Sequence, residues 1–226
     1  MKNLILSIIV LAGLLPGCVK EDVAPVMECG FVGFKYYKDE EDFLGEMSRN
    51  YILLGVDTAY DDDQIQEFIS SVKDNLDHNY SYTVQTTAGY KFKEIPVKLK
   101  SSKTCGQIAY IISRLEKNEI ISYVHYTMDT DDCNDMIGRP MGNKCIISYG
   151  SNFYVRVHDK NDLEDLNRIV SETRTEIVGP NAFMPEVFEL RATKYSLGDA
   201  LKMANYFHET GLFEYAEPGI SQYPVE

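Results

Sequence analysis

Tryptophan is absent from the 226 residues, and histidine is nearly so, with four. His78, His125, His158 and His208 stand at none of the short intervals at which two imidazoles share a metal, and no CxxC pair accompanies them. A glycine-rich phosphate loop is also missing. So is the serine with a glycine two residues to either side that a nucleophile elbow requires, since Ser151 after Gly150 stands in GSN. The acidic run 129–135, DTDDCND, lacks the glycine and the closing glutamate of an EF-hand loop and reads as solvated surface. With no acid/base pair and no activated nucleophile, the chain is expected not to be an enzyme and to need no metal or cofactor. Positive charge is scarce too: 22 Lys and Arg against 35 Asp and Glu leave a net charge of −13. Such a chain repels phosphate backbones, which excludes nucleic acid as a partner.

Only one apolar run is long, and it opens the chain. Lys2, then LILSIIVLAGLL, then LPGC form the pattern of a bacterial lipoprotein signal, with residues 1–17 removed and Cys18 lipidated. The run is short for a spanning helix, and the rival reading is a secretory signal with a chance cysteine. The expected location is the bacterial envelope, anchored to a membrane through Cys18, at the outer membrane or the cell surface. VKEDVAP after the cysteine resembles an acidic surface-export tether, and residues 18–48 read as a tether that becomes partly ordered. Four further cysteines, Cys29, Cys105, Cys133 and Cys145, are an even number outside the cytoplasm, so disulfides or free thiols are favoured over zinc. Cys133 and Cys145 bracket a Gly- and Pro-containing loop and are the better pair, leaving Cys29 with Cys105. Sixteen tyrosines suit half-exposed sheet faces.

Between 50 and 220 the apolar periodicity alternates between helix and strand. Helical stripes fall at Ile65, Phe68, Ile69, Val72 and Leu76; at Ile108, Ile111, Ile112 and Leu115; at Leu163, Leu166, Ile169 and Val170; and at Leu197, Leu201, Ala204 and Phe207. Asp61 to Asp63, Thr104 with Gln107, Asn161 with Glu164, and Ser196 with Asp199 predict their starts. Asn118 and Gly211 predict left-handed ends for the second and fourth helices. Strand signals lie at 51–57, 82–87, 94–100 and 121–127, and again at 153–158, 175–179, 186–192 and 212–217. Each half therefore reads β-α-β-β-α-β, with corresponding points roughly a hundred residues apart. The expected fold is α+β: two tandem ferredoxin-like domains, 49–128 and 151–220, each with its own antiparallel sheet and helices on one face. Residues 129–150 connect them and end as an added strand, and 221–226 form a tail.

The second half carries FYVRV, TEIVGPNAFMPEVFELRAT and SLGDALKMANYFHETGLFEYAEP. Over about 153–220 it resembles the propeptide domain of subtilisin-family proteases. In that family the propeptide assists folding of the enzyme and then inhibits it, with its C-terminal tail lying in the substrate cleft. The resemblance implies a subtilisin-type protease as partner and a contact tail including Ala216, Glu217, Pro218, Gly219, Ile220, Tyr223 and Val225. The protease domain that should follow is missing, so the chain itself is expected not to be a protease. Two functions follow as expectations: a lipid-anchored regulator of a separately encoded subtilase, or a general binding lipoprotein on the same scaffold.

Overall fold

A computed structural model describes residues 27–86, 91–134 and 142–225. Helix starts follow short polar side chains. Asp61 accepts the Gln64 N–H while the Gln64 side chain accepts the Asp61 N–H, so α1 (Asp62–Ser71) opens with a capping box. Thr104 and Gln107 do the same for α2 (Cys105–Leu115). The other two starts differ from expectation. Asn161 does not cap α3 (Glu164–Thr173), which begins behind Leu163 with no side-chain cap bond; the Asn161 amide is taken up by Asp159 instead. Asp199 rather than Ser196 caps α4 (Ala200–Glu209), because the Ser196 hydroxyl donates to the Arg174 carbonyl. Leu197 consequently lies ahead of the helix and is exposed rather than in the core. Gly211 does take the left-handed turn after α4, with φ 67°. Asn118 does not; its side chain accepts the Ile120 N–H.

Ten strands complete the described residues. β1 (Phe34–Tyr37) and β2 (Glu40–Phe43) form a separate hairpin, turned at Lys38 and Asp39, both at positive φ. β3 (Met47–Asp57), β4 (Gln85–Thr86), β5 (Phe92–Lys98) and β6 (Ile121–Thr130) belong to the first half. β7 (Cys145–Arg156), β8 (Glu176–Pro180), β9 (Val187–Arg191) and β10 (Tyr215–Pro224) belong to the second. Of the strand expected over 82–87, the described residues hold Gln85 and Thr86 in the sheet, and residue 87 lies outside the described residues.

The architecture is α+β, all strand pairs are antiparallel, and neighbours run β4-β5-β3-β6 in the first half and β8-β9-β7-β10 in the second. Each half thus places its fourth strand beside its first, then its third, then its second. The expectation of two separate sheets is corrected by the pairing of β6 with β7. Met128, Asp129 and Thr130 lie opposite Ile147, Ile146 and Cys145, and one eight-stranded sheet results. Residues read as a connection therefore extend β6 to Thr130 and start β7 at Cys145.

Strand alternation distributes the core. Ile52, Leu54 and Val56 face α1 and α2 with Ile65, Ile69, Ile108 and Ile111. Phe153 and Val155 face α3 and α4 with Leu166, Ile169, Leu201 and Phe207. Leu53, on the opposite face of β3, meets Ile146 and Tyr223 in a third cluster. The helix-free face of β3 is therefore met at Leu53 by Ile146 of β7 and Tyr223 of β10.

The segment read as a tether is structured from Met27 onward. Cys29 is bonded to Cys105 at the start of α2, and Phe31 packs against both helical cores. Asn205 of α4 donates to the Phe34 carbonyl at 3.0 Å, and Tyr36 stacks on His208 with ring centroids 4.3 Å apart. Residues 27–37 form a strap across the helical layer of both halves.

Candidate binding cleft between the two halves

β6 keeps β7 as a neighbour only from Met128 onward. Among the described residues its outer edge has no ladder partner from Ile121 to Thr127, and buried backbone groups there require other donors and acceptors. Side chains supply them. Glu116, at the end of α2, accepts the Val124 N–H at 3.3 Å. Lys194, in the loop between β9 and α4, donates its ammonium to the carbonyls of Asn118 and Ile121 and its backbone N–H to Ser122. Ser148 donates to the Tyr126 carbonyl and His125 Nδ1 donates to the Tyr149 carbonyl at 2.8 Å. The split in the sheet creates a cleft, and Glu116, Lys194 and His125 are among the residues that line it.

The cleft has an outer and an inner part. The outer groove, of about 880 Å³, runs past Asp57, Tyr60, Phe92, Lys117, Glu176 and Tyr195. Ser113, Glu116, Thr193 and Lys194 line both parts. The inner chamber, of about 210 Å³, is bounded by α2, β6, the Asp199 end of α4 and the strap residues Glu28 and Gly30. Arg191 spans the split behind the groove, its guanidinium 5.5 Å from the Phe92 ring centroid and its Nε 3.3 Å from Asn152 Oδ1.

Burial sets the protonation states. The Glu116 carboxyl is raised above its ordinary range, chiefly by desolvation, against which the Val124 N–H and the two nearby lysines act. His125 is held below its ordinary value, again by burial first, so its ring is neutral near pH 7. That ring lies between Tyr123 and Tyr149, with centroids 4.4 and 4.5 Å away. The Tyr149 hydroxyl is bonded to Asp199 and pushed well above its ordinary value by burial and by that carboxylate. Asp199 Oδ2 also faces Lys202 Nζ at 3.5 Å.

A second buried polar knot closes the opposite face. Glu94 accepts the Tyr123 hydroxyl at 3.0 Å on one oxygen and the Tyr223 hydroxyl at 2.7 Å on the other. Tyr123 reaches it by lying over Gly55, the residue between them in register.

The segment that the propeptide resemblance offers to a protease is part of the sheet. Ala216, Glu217, Pro218, Ile220 and Tyr223 are each opposite a β7 residue, and Gly219 sits in a bulge between Pro218 and Ile220. Ala216 and Tyr223 are buried, and the Val225 N–H donates to the Lys144 carbonyl. The tail expected over 221–226 is therefore strand to Pro224. Cys133 and Cys145 are bonded, with Cα atoms 5.5 Å apart. Cys18 lies outside the described residues. Among the described residues no group of His, Cys, Asp and Glu is placed to hold a metal, and no helix is long and apolar enough to cross a membrane.

Sequence periodicity passed over the cleft residues. Glu116 and Lys194 sit where a helix or strand ends, positions that carry no repeating signal, and Asp199 was legible only as a helix-start residue.

No family model matches the sequence, and no curated protein matches it. Among solved structures it is similar to the acetolactate synthase small subunit from Thermotoga maritima, at 13% identity over 77% of this chain and 95% of that one, with a TM-score of 0.28. A likeness so distant carries no argument about this chain.

Proposed function

We propose that the protein is a non-enzymatic, lipid-anchored envelope protein that binds a small polar ligand in the cleft between two ferredoxin-like halves of a tandem repeat. The carrying observation is the split between β6 and β7, which opens a groove leading to a polar chamber where elements of both halves and the strap converge. Concave sites with a few convergent polar groups are where ligands bind. The anchor reading rests on LPGC after the apolar run, and Cys18→Ala is expected to abolish labelling by a fatty-acid analogue. Binding is tested by titrating the full-length protein with a small-molecule fragment set and following backbone amide signals. Shifts are expected at 116–122 and 193–199; shifts that cluster elsewhere would overturn the cleft as the site.

A regulator of a subtilisin-type protease is the reading that the propeptide resemblance implies. It is disfavoured by β10, because residues 216–224 cannot enter a protease cleft without leaving β7 and unburying Tyr223. The full chain is expected not to inhibit subtilisin-type proteases; stoichiometric inhibition would restore that reading.

A further inference from the structure

The chamber is charged unevenly once its internal bonds are counted. Lys194 is spent on two backbone carbonyls, and Lys202 faces Asp199. Asp199 itself caps α4 through the Lys202 N–H and holds the Tyr149 hydroxyl. Glu116 is different: one oxygen accepts the Val124 N–H, and among the described residues no donor reaches the other. His125 adds a second acceptor. Its Nδ1 carries the proton given to the Tyr149 carbonyl, so the neutral ring keeps its lone pair on Nε2, for which no protein partner is found among the described residues. The Tyr126 side chain contributes to the walls, its hydroxyl close to Gly30, and the strap at Gly30 forms the roof. Free acceptors, a carboxylate and aromatic walls are the features that select a cation with N–H donors.

We infer that the inner chamber is a binding site for a small organic cation, a primary ammonium whose N–H groups bond Glu116 and His125 Nε2. The inference rests on the cleft reading and names its ligand class. Three carboxylates, Glu28, Glu116 and Asp199, against two lysines leave the chamber walls balanced only while one carboxylate is neutral or paired, and a bound ammonium at Glu116 supplies the missing partner. An anion would find both lysines already committed.

The test is a titration of the full-length protein with butylammonium, its neutral analogue pentan-1-ol and the anion valerate, read by the amide signals of Gly30, Val124 and Asp199. Butylammonium is expected to shift all three signals and to bind more tightly than either analogue. Glu116→Gln keeps a carbonyl oxygen for the Val124 N–H but loses the charge, and should weaken butylammonium binding more than about tenfold. Equal or tighter binding of pentan-1-ol or valerate would overturn the ligand class, as would an unchanged affinity in Glu116→Gln. Shifts confined to the outer groove at Lys117 and Tyr195 would overturn the chamber site while leaving the cleft as a binding surface. No shift in either part would overturn both.

Discussion

An alanine at position 55 would drive its Cβ into the Tyr123 ring. The ring cannot yield, because its hydroxyl is fixed on Glu94 and its face is stacked on His125. Gly55→Ala should therefore destabilise the protein by about 1–3 kcal/mol or more, as forced overpacking does. Gly219→Ala is the control: its Cβ would meet nothing nearer than 3.6 Å, and little change in the urea midpoint is expected. His125 gives the second residue-scale outcome. Its folded value lies below the unfolded 6.5, so the unfolded chain binds the proton more readily. Stability from this group is complete above about pH 6.5 and is lost as pH falls toward the folded value. Burial is the largest cause and Lys202 reinforces it, while Asp199 and the bond to the Tyr149 carbonyl oppose it. Removing the titrating ring with His125→Gln should flatten the stability profile just below pH 6.5 in denaturation curves taken across pH. A profile as steep as that of the parent protein would show that another group titrates there.

At the scale of elements, the two disulfides fasten different parts. Cys133–Cys145 closes a separation of 12 residues and brackets the β6–β7 junction, whereas Cys29–Cys105 closes 76 and holds the strap to α2. Loop-closure entropy assigns about 3 kcal/mol to the first and about 4.5 kcal/mol to the second. Serine at Cys133 and Cys145 should thus lower stability less than serine at Cys29 and Cys105, measured by denaturant midpoints in oxidising buffer. Only the strap pair should also expose Phe31 and the chamber roof, detectable as faster amide exchange at Gly30 and Tyr126. Equal effects at both bridges would argue that the strap contributes no more than a surface loop.

For the whole molecule, the fused sheet has a consequence for cooperativity. Leu53 from the first half is sealed by Ile146 and Tyr223 from the second, and Glu94 is satisfied by a tyrosine from each half. Separated halves would expose that face and leave a half-buried carboxylate short of a donor. Fragments 27–134 and 142–225 are expected to lack cooperative unfolding when expressed alone. The full chain should unfold in one transition, with coincident far-ultraviolet circular dichroism and tyrosine fluorescence curves. A fragment that unfolds cooperatively at the midpoint of the full chain would show the halves to be independent domains.

What the sequence determined by itself is local. Apolar stripes placed the four helices, and Asp61 and Thr104 marked two of their starts, because periodicity and capping depend on residues within one turn of each other. Alternation likewise placed most strands. Asn161 and Ser196 show the limit even at this range, since each had a competing bond to a neighbour in space. The union of the halves was decided only by the tertiary structure. Nothing in 128–130 or 145–147 announces that these strands pair, because strand partners are chosen by long-range packing rather than by composition. The same holds for β10, whose proline, glycine and mixed polarity read as a tail until β7 and Glu94 bind it. The cleft follows from that pairing: β6 runs out of ladder at Met128, and Glu116, Lys194 and His125 acquire their roles from the backbone groups left over.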